Sequence, residues 1–281
     1  MYVSIQIVTD SSCDLPSELV NANLVEVVPL TVRINNKEYL EGVTISAIDF
    51  FAEMARSETL PKTSQPSPQA FLDVFNKITR TAGEAAEILC ITLSSKLSGT
   101  FQSAQIAQKM HQGKIAVIDS LSGSLGLGLM VLEARRLAQE GLSLRDIIAH
   151  LQALRTRTKV LVSLDTLENA VKGGRVNRVQ SAVAQILRFK IFVHTVEGRV
   201  EVCDRVRGKV AVINRFLEGM AERGEDFRNR IIGIAHVDNL KEAEALAQAI
   251  IERFSPLQVI VAPMGSTIAT YAGKGAVALA F

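Results

Sequence analysis

The sequence predicts an α/β protein of two domains: an N-terminal parallel-sheet α/β domain over residues 1–157, and a C-terminal α+β domain over residues 158–281 with a mixed or antiparallel sheet. In the first half, short apolar runs rich in β-branched residues alternate with helical patterns, which is typical of a parallel sheet. Near Thr158 this alternation gives way to strand pairs mixed with helices. The length of 281 residues also suits about two domains.

Three units of strand, hydroxyl-rich loop and helix define the predicted N-terminal domain. Their strands lie at residues 4–8, 88–93 and 114–119. The segment between the first two units carries a β-rich run at 25–34, a hairpin turn at Asn35 and Asn36, and a helix capped by Ser46. A polar loop bounded by prolines follows at 60–68, and helices are predicted at 69–79 and from Ser143 to about 157.

The predicted C-terminal domain mixes hairpins and helices. Its elements are a strand at 160–164, a short helix at 166–171, a hairpin of strands at 191–196 and 200–206, a helix at 209–223, a strand at 230–236, a helix at 240–254 and a last strand at 258–262. A tail rich in glycine and hydroxyl residues follows at 264–275.

The stretch from residue 88 to 107 is the most informative part of the sequence. Four hydroxyl residues surround one glycine between its strand and its helix: Ser94, Ser95, Ser98 and Thr100. Hydroxyl donors and the free N–H groups of a helix start suit a small anion such as a carboxylate or phosphate. The alternative is that Ser98 only caps the helix. No strong metal ligand lies between positions 94 and 100, so we predict no metal site.

Composition excludes several classes of function. A net charge of +2 does not favour nucleic-acid binding. The N-terminal sequence lacks the pattern of a signal peptide, and no apolar run is long enough to span a membrane, so we expect a cytoplasmic protein. Three widely spaced cysteines predict neither disulfides nor zinc. The glycines at 123, 126 and 128 match no nucleotide motif and predict close packing of a helix on a sheet.

Five segments of the chain, taken together and in this order, resemble the DegV family of bacterial lipid-binding proteins. They are T-D-S-S at 9–12, T-S-Q-P-S at 63–67, L-S-G-T at 97–100, the run from L-E at 167–168 to K-G-G-R at 172–175, and the glycine-rich tail at 265–275. The resemblance covers nearly the whole chain.

This resemblance implies a function. Members of the family bind a long-chain fatty acid, and the better understood ones present its carboxylate to a separate kinase subunit that forms an acyl phosphate. By resemblance, Thr63 and Ser98 hydrogen-bond the carboxylate, Ser64, Gly99 and Thr100 adjoin them, and Arg175 lies near the entrance. The partners that the resemblance implies are a fatty acid and a fatty acid kinase subunit, with no nucleic acid and at most transient membrane contact. No cofactor and no catalytic residue are expected in this chain.

The tail departs from the family pattern at one position. Relatives usually carry a histidine in the segment that corresponds to residues 269–275, where this chain has Tyr271 preceded by Thr270. We include both residues in the predicted ligand-binding set. A neutral phenol donates a hydrogen bond but carries no positive charge near neutrality, so the change affects phosphoryl transfer more than binding.

Two further hypotheses concern the C-terminal domain. The acyl tail could be lined by six apolar residues: Leu161, Ile186, Leu187, Phe189, Phe192 and Ile213. A basic surface for an acidic partner or an anionic lipid could be formed by eight residues: Lys172, Arg175, Arg178, Arg188, Lys190, Arg205, Arg207 and Lys209.

Two other functions stay open at this point. Ser98 could be the nucleophile of a hydrolase or acyltransferase, although the sequence has no G-x-S-x-G elbow and no evident base for it. The ligand could also be a different amphiphile, for example an isoprenoid or a polyketide-like acid.

Overall fold

Two large β-sheets, each covered by helices, organise the chain. The computed structural model describes residues 4–176 and 189–281. Its strands, in chain order, are β1 (Ile5–Asp10), β2 (Glu26–Val28), β3 (Thr31–Ile34), β4 (Lys37–Leu40), β5 (Lys62–Ser64), β6 (Glu87–Thr92), β7 (Ile115–Asp119), β8 (Val160–Leu164), β9 (Lys190–Val196), β10 (Arg199–Val206), β11 (Ile231–His236), β12 (Gln258–Pro263) and β13 (Val277–Ala280).

Helices follow most of these strands. The helices within the described ranges are α1 (Ser17–Ala22), α2 (Ala47–Arg56), α3 (Pro68–Ala82), α4 (Thr100–Met110), α5 (Leu125–Gln139), α6 (Leu144–Arg157), α7 (Glu168–Lys172), α8 (Lys209–Ala221), α9 (Leu240–Phe254) and α10 (Ser266–Ala272). A short 3-10 turn at Ser11–Cys13 joins β1 to α1.

The sheet topology confirms the predicted fold class. The first sheet is parallel, with the order β2-β1-β6-β7, and the second is mixed, with the order β10-β9-β8-β13-β11-β12. Among the described strands, none before residue 120 joins the second sheet and none from residue 160 onwards joins the first. The proposed domain boundary at residue 158 falls between α6 and β8, and the division itself stays a prediction.

Three predicted elements differ from the structure. The β-rich run at 25–34 is interrupted at Pro29 and contributes β2 and β3 to two different sheets, because proline lacks the N–H that a continuous ladder needs. The loop at 60–68 contains β5, which pairs with β3 in a small antiparallel sheet of order β4-β3-β5. The strand predicted as the last is followed by α10 and β13, and β13 lies in the interior of the six-stranded sheet between β8 and β11.

Helix α5 lies between the two large sheets. It packs against β1 and β6 on one side and against β11 and β13 on the other. A Cβ atom on Gly126 would lie 2.4 Å from Val160 Cγ2, and one on Gly128 would lie 2.7 Å from the carbonyl oxygen of Cys13. The predicted role of these glycines in close helix–sheet packing is therefore confirmed.

Buried carboxyl groups join the loops at the carboxyl end of the parallel sheet. Asp10 accepts hydrogen bonds from Leu93 N at 2.7 Å and from Ser12 N and Oγ at 3.1 and 2.5 Å. Burial away from water raises the pKa of Asp10 from 3.8 to about 6, although these hydrogen bonds act in the opposite direction. Asp14 is also buried, and burial raises the pKa of its carboxyl group well above the ordinary range.

Replacing Gly128 by alanine tests the close packing of α5. An alanine in a helix usually stabilises a protein by about 1 kcal/mol relative to glycine. At Gly128 we expect instead a loss of about 2 kcal/mol in the free energy of unfolding, because the methyl group would overlap a backbone carbonyl. Urea denaturation measures the difference. Gly219→Ala in α8 is the control, since its Cβ would meet only the ends of two side chains, Leu161 at 3.0 Å and Arg215 at 3.6 Å. Equal effects of the two changes would contradict this account.

The pKa of Asp10 predicts a pH dependence of stability. The folded-state pKa lies above the unfolded value, so the folded protein holds this proton more tightly. The stability contributed by Asp10 is therefore complete below about pH 4 and is lost as the pH rises through about 6, a decrease of about 3 kcal/mol. Denaturation experiments between pH 4 and 7 give the free energy of unfolding of the wild type and of Asp10→Asn. The free energy of the wild type minus that of the variant should fall by this amount as the pH rises. A difference that stays constant between pH 4 and 7 would refute the prediction.

Candidate functional site

A cavity lies between the second sheet and the elements of the N-terminal half. The space between its walls, including the solvent at its open mouth, is about 890 Å³. One wall is the face of the six-stranded sheet, and its apolar residues are Val160, Val162, Leu164, Val193, Val200 and Ala278. The opposite wall includes residues of the β6–α4 loop, the start of α5, and β5.

Side chains alternate between the two faces of a strand, and this alternation places several of the predicted lining residues away from the cavity. Val160 and Val162 on β8 face the cavity, whereas Leu161 between them packs in the apolar cluster under α8 and α9. Phe192 and Ile213 belong to that same cluster, and Phe189 does not line the cavity. The predicted tail contacts of Leu161, Phe192, Ile213 and Phe189 are therefore wrong. Ile186 and Leu187 lie outside the described residues.

Thr63 lies on the cavity wall at one edge of the small antiparallel sheet. Its strand β5 pairs with β3, with Thr63 opposite Val32. A hydrogen bond of 2.8 Å joins Thr63 Oγ1 to the phenol oxygen of Tyr271. The neighbouring Ser64 is exposed and does not line the cavity, because successive side chains of a strand point in opposite directions. Of the two residues, only Thr63 is positioned to contact a ligand.

Ser98 lies on the same wall, in the loop before α4. A hydrogen bond of 2.9 Å joins Ser98 Oγ to Thr100 Oγ1, and Thr100 is fully buried behind it. The N-cap of α4 is Gly99, so Ser98 is not the cap residue. The structure thus brings Thr63 and Ser98 to one cavity, with Thr100 as the hydrogen-bond partner of Ser98.

Gln65 connects the two loops that carry these hydroxyl groups. Its side chain donates a hydrogen bond of 2.9 Å to Ser103 Oγ on α4. It also packs directly on Gly99, where a Cβ atom would lie 2.1 Å from Gln65 Oε1. Gly99 therefore has a packing role, and it is not among the described residues that line the cavity. Gln65 lies within the T-S-Q-P-S motif, but nothing in the sequence indicates its packing role.

Ser94 and Ser95 do not contribute donors to the cavity. Ser94 is buried and donates a hydrogen bond of 2.7 Å to the carbonyl oxygen of Gly198, at the tip of the β9–β10 hairpin. Ser95 is exposed. Of the four predicted hydroxyl donors, only Ser98 and its partner Thr100 therefore remain at the cavity. Ser94 instead links the β6–α4 loop to the C-terminal half by its hydrogen bond.

Tyr271 on α10 completes the polar end of the cavity. Its ring packs against Gly173, where a Cβ atom would lie 2.3 Å from Tyr271 Cε1. The guanidinium carbon of Arg175 stands 4.5 Å from the ring centroid, which is a cation–π distance. The adjacent Thr270 is buried and donates its hydroxyl hydrogen to Ser266 O within the helix. Thr270 is not among the described residues that line the cavity, so the structure gives its predicted ligand contact no support.

Arg175 is held at the cavity wall by two carbonyl groups. Its Nε donates to Leu97 O at 3.2 Å and its Nη1 donates to Gly173 O at 2.6 Å. Among the described residues that line the cavity, Arg175 is the only charged one. The polar end of the cavity therefore combines hydroxyl groups with one positive charge, an arrangement that favours an anion over a cation.

The predicted basic surface is not one continuous face. Arg175 is directed towards the cavity, and Lys190 contacts Asp165 at 2.8 Å and Gly275 O at 2.9 Å. Arg207 and Lys209 are exposed. Arg178 and Arg188 lie outside the described residues. The part of the chain that the structure describes therefore gives little support to this hypothesis.

Among the described residues that line the cavity, none carries a carboxylate, an imidazole or a thiol. None of the four histidines lines the cavity or hydrogen-bonds Ser98. Within residues 4–176 and 189–281, no three His, Cys, Asp or Glu side chains group as a metal site. In the same ranges, no helix is both long enough and apolar enough to cross a bilayer.

Comparison with known proteins agrees with the resemblance inferred from the motifs. The family described as "Uncharacterised protein, DegV family" matches residues 4–281. A DegV domain-containing protein of Caldanaerobacter subterraneus subsp. tengcongensis is 34% identical over 278 residues, which are 99% of this chain and 98% of that protein.

Solved structures share the fold over the whole chain. A DegV family protein from Thermus thermophilus, described by its fatty acid binding, has a TM-score of 0.92 and 32% identity, with 99% of each chain covered. The fatty acid kinase (Fak) B3 protein of Streptococcus pneumoniae, loaded with linoleic acid, has a TM-score of 0.86 and 24% identity, again with 99% of each chain covered. The family match and the 34% identical relative together show that this chain belongs to the DegV family.

Proposed function

We propose that this protein binds one long-chain fatty acid, with the carboxylate at Thr63 and Ser98 and the acyl chain against the six-stranded sheet. The observation that carries the proposal is the division of one cavity into a hydroxyl end and an apolar wall. The Thermus thermophilus relative, whose structure is described by its fatty acid binding, supports the same ligand class.

The hydroxyl groups are arranged so that two hydrogens can point at a carboxylate. When Tyr271 donates to Thr63 Oγ1, the Thr63 hydrogen is available to the ligand, and Thr100 can act on Ser98 in the same way. Each hydrogen bond to a charged group contributes about 1.5–3 kcal/mol. Arg175 adds a positive charge that is fixed near this end.

The apolar wall accounts for most of the expected affinity. An acyl chain of about fifteen methylene groups gains roughly 12 kcal/mol on leaving water, before the costs of ordering are subtracted. The valine, leucine and alanine side chains of the six-stranded sheet offer such a chain no hydrogen-bonding partner. The tail therefore supplies affinity, while the hydroxyl groups determine which end of the ligand is held at Ser98.

We also propose that this protein presents the bound carboxylate to a separate kinase. The described cavity wall carries no carboxylate or histidine that could move a proton, and the sequence has no nucleotide-binding motif, so phosphoryl transfer would need a partner. The likeness to the fatty acid kinase B3 protein supports this role by fold alone.

Lipid analysis and two variants test the binding proposal. Mass spectrometry of an organic extract of the purified protein should find a stoichiometric long-chain fatty acid. Thr63→Val and Ser98→Ala should each weaken fatty acid binding by about tenfold or more, because each removes one hydrogen bond to a charged group. Titration calorimetry with a delipidated sample measures the affinities. Ser64→Ala, at the exposed neighbouring position, should bind as the wild type does. A protein that holds no lipid and binds none would refute the proposal.

A reconstituted phosphorylation assay tests presentation to a kinase. The loaded protein is mixed with ATP and the catalytic subunit of a bacterial fatty acid kinase, whose own binding subunit serves as the positive control. We expect acyl phosphate to form, and we expect Thr63→Val to reduce it because the carboxylate loses its fixed position. Formation with the control subunit and none with this protein would contradict the presentation role and leave the binding proposal standing.

A further inference from the structure

Glu41 of the N-terminal half holds the first turn of α10 in the C-terminal half. The loop after β4 places Glu41 where only 5% of its surface is exposed. Its carboxylate accepts hydrogen bonds from Thr267 N at 2.6 Å, Thr267 Oγ1 at 2.8 Å and Ser266 Oγ at 3.0 Å. Three donors of one helical turn are thus satisfied by a single side chain that is 225 residues away in sequence.

Glu41 is itself fixed to the N-terminal half. Ser11 Oγ donates to Glu41 Oε2 at 2.5 Å, and Ser11 Oγ in turn accepts a hydrogen bond of 2.9 Å from Leu30 N. The backbone N–H of Glu41 donates to Leu30 O at 3.0 Å. The carboxylate therefore has little freedom to move, and the position of α10 depends on it.

The same helix carries a residue of the hydroxyl end. Thr267 and Tyr271 are four residues apart, so they lie on one face of α10, and both line the cavity. Tyr271 then bonds Thr63 on β5, which pairs with β3, and β3 begins directly after Leu30. The contacts form a closed ring that runs from Leu30 through Glu41, α10, Tyr271 and Thr63 back to β3.

We propose that Glu41 is a positioning residue for the carboxylate end of the cavity. It acts through α10 by setting the place of Tyr271 against Thr63, and this inference rests on the proposed fatty acid binding. A second hydrogen bond also holds α10 to the N-terminal half. Asp14 accepts it from Gly265 N, immediately before α10, at 2.8 Å. Without the carboxylate of Glu41, the N–H of Thr267 and the hydroxyl of Ser266 would be buried without this partner, and the first turn would shift or fray.

A double-mutant cycle tests whether Glu41 acts through Tyr271. Fatty acid affinity is measured for the delipidated wild type, Glu41→Ala, Tyr271→Phe and the double variant. We expect Glu41→Ala and Tyr271→Phe each to weaken binding by about tenfold, and the double variant to be little weaker than the weaker-binding single variant. Effects that multiply, or an affinity of Glu41→Ala equal to that of the wild type, would overturn the proposal.

Conservative and control variants separate positioning from charge and from general stability. Glu41→Gln keeps an acceptor oxygen for Thr267 N, and its amide can donate to the hydroxyls of Ser11 and Thr267, so its affinity should stay within about threefold of the wild type. A loss as large as that of Glu41→Ala would assign the effect to charge and overturn the proposal. Glu38→Ala, at an exposed position on β4, should change nothing.

The outcome remains decisive if Glu41→Ala does not fold. Ser266→Ala then takes its place in the cycle, because it removes one donor to Glu41 and no group that lines the cavity. The same non-additivity with Tyr271→Phe is expected, and independent effects would overturn the proposal. Failure of the proposed function is recognised separately, since the wild type would then bind no fatty acid.

Discussion

The close approach of α5 to both large sheets is the constraint on which the arrangement of the two halves depends. Small residues on the first turns let the helix contact β8 and the turn after β1 at distances that no side chain would permit. The second sheet also approaches the helix closely at a glycine, since a Cβ atom on Gly233 would lie 2.7 Å from Leu125 Cβ. Because both sheets close on one helix, the cavity occupies the space beside the start of α5, where Gly123 and Ser124 form part of its wall.

The polar end of the cavity uses neutral donors in preference to ion pairs. Fully burying a charged side chain is costly, whereas hydroxyl groups can satisfy one another until a ligand arrives. Thr63 and Tyr271 form one such pair, and Ser98 and Thr100 form another. Arg175 supplies a positive charge, and its cost of burial is offset by two carbonyl groups and an aromatic ring.

Local signals predicted much of the fold. Asn35 and Asn36 both adopt positive φ in the predicted hairpin, and Ser46 accepts the hydrogen bond of Asp49 N that its capping pattern indicated. The loops of Thr63 and Ser98 also meet at one cavity, as expected from the family resemblance. The predicted site included Ser64 and Thr270, each of which is one residue away from a residue that lines the cavity. Adjacent side chains of a strand or helix point in different directions, so a neighbouring residue need not reach the same cavity. Glu41 could not have been found, since the residues of α10 that it holds are more than 200 residues distant and a lone acidic residue carries no local pattern.

The interior position of β13 has a consequence for the order of folding during synthesis. Strands β8 and β11 do not pair with each other, and only β13 joins them. As the ribosome makes the chain, the parallel sheet can form early, whereas the second sheet stays in two parts until β13 has emerged. Ala278, which lines the cavity, arrives with that strand. A nascent chain therefore has no finished cavity before β13 takes its place between β8 and β11.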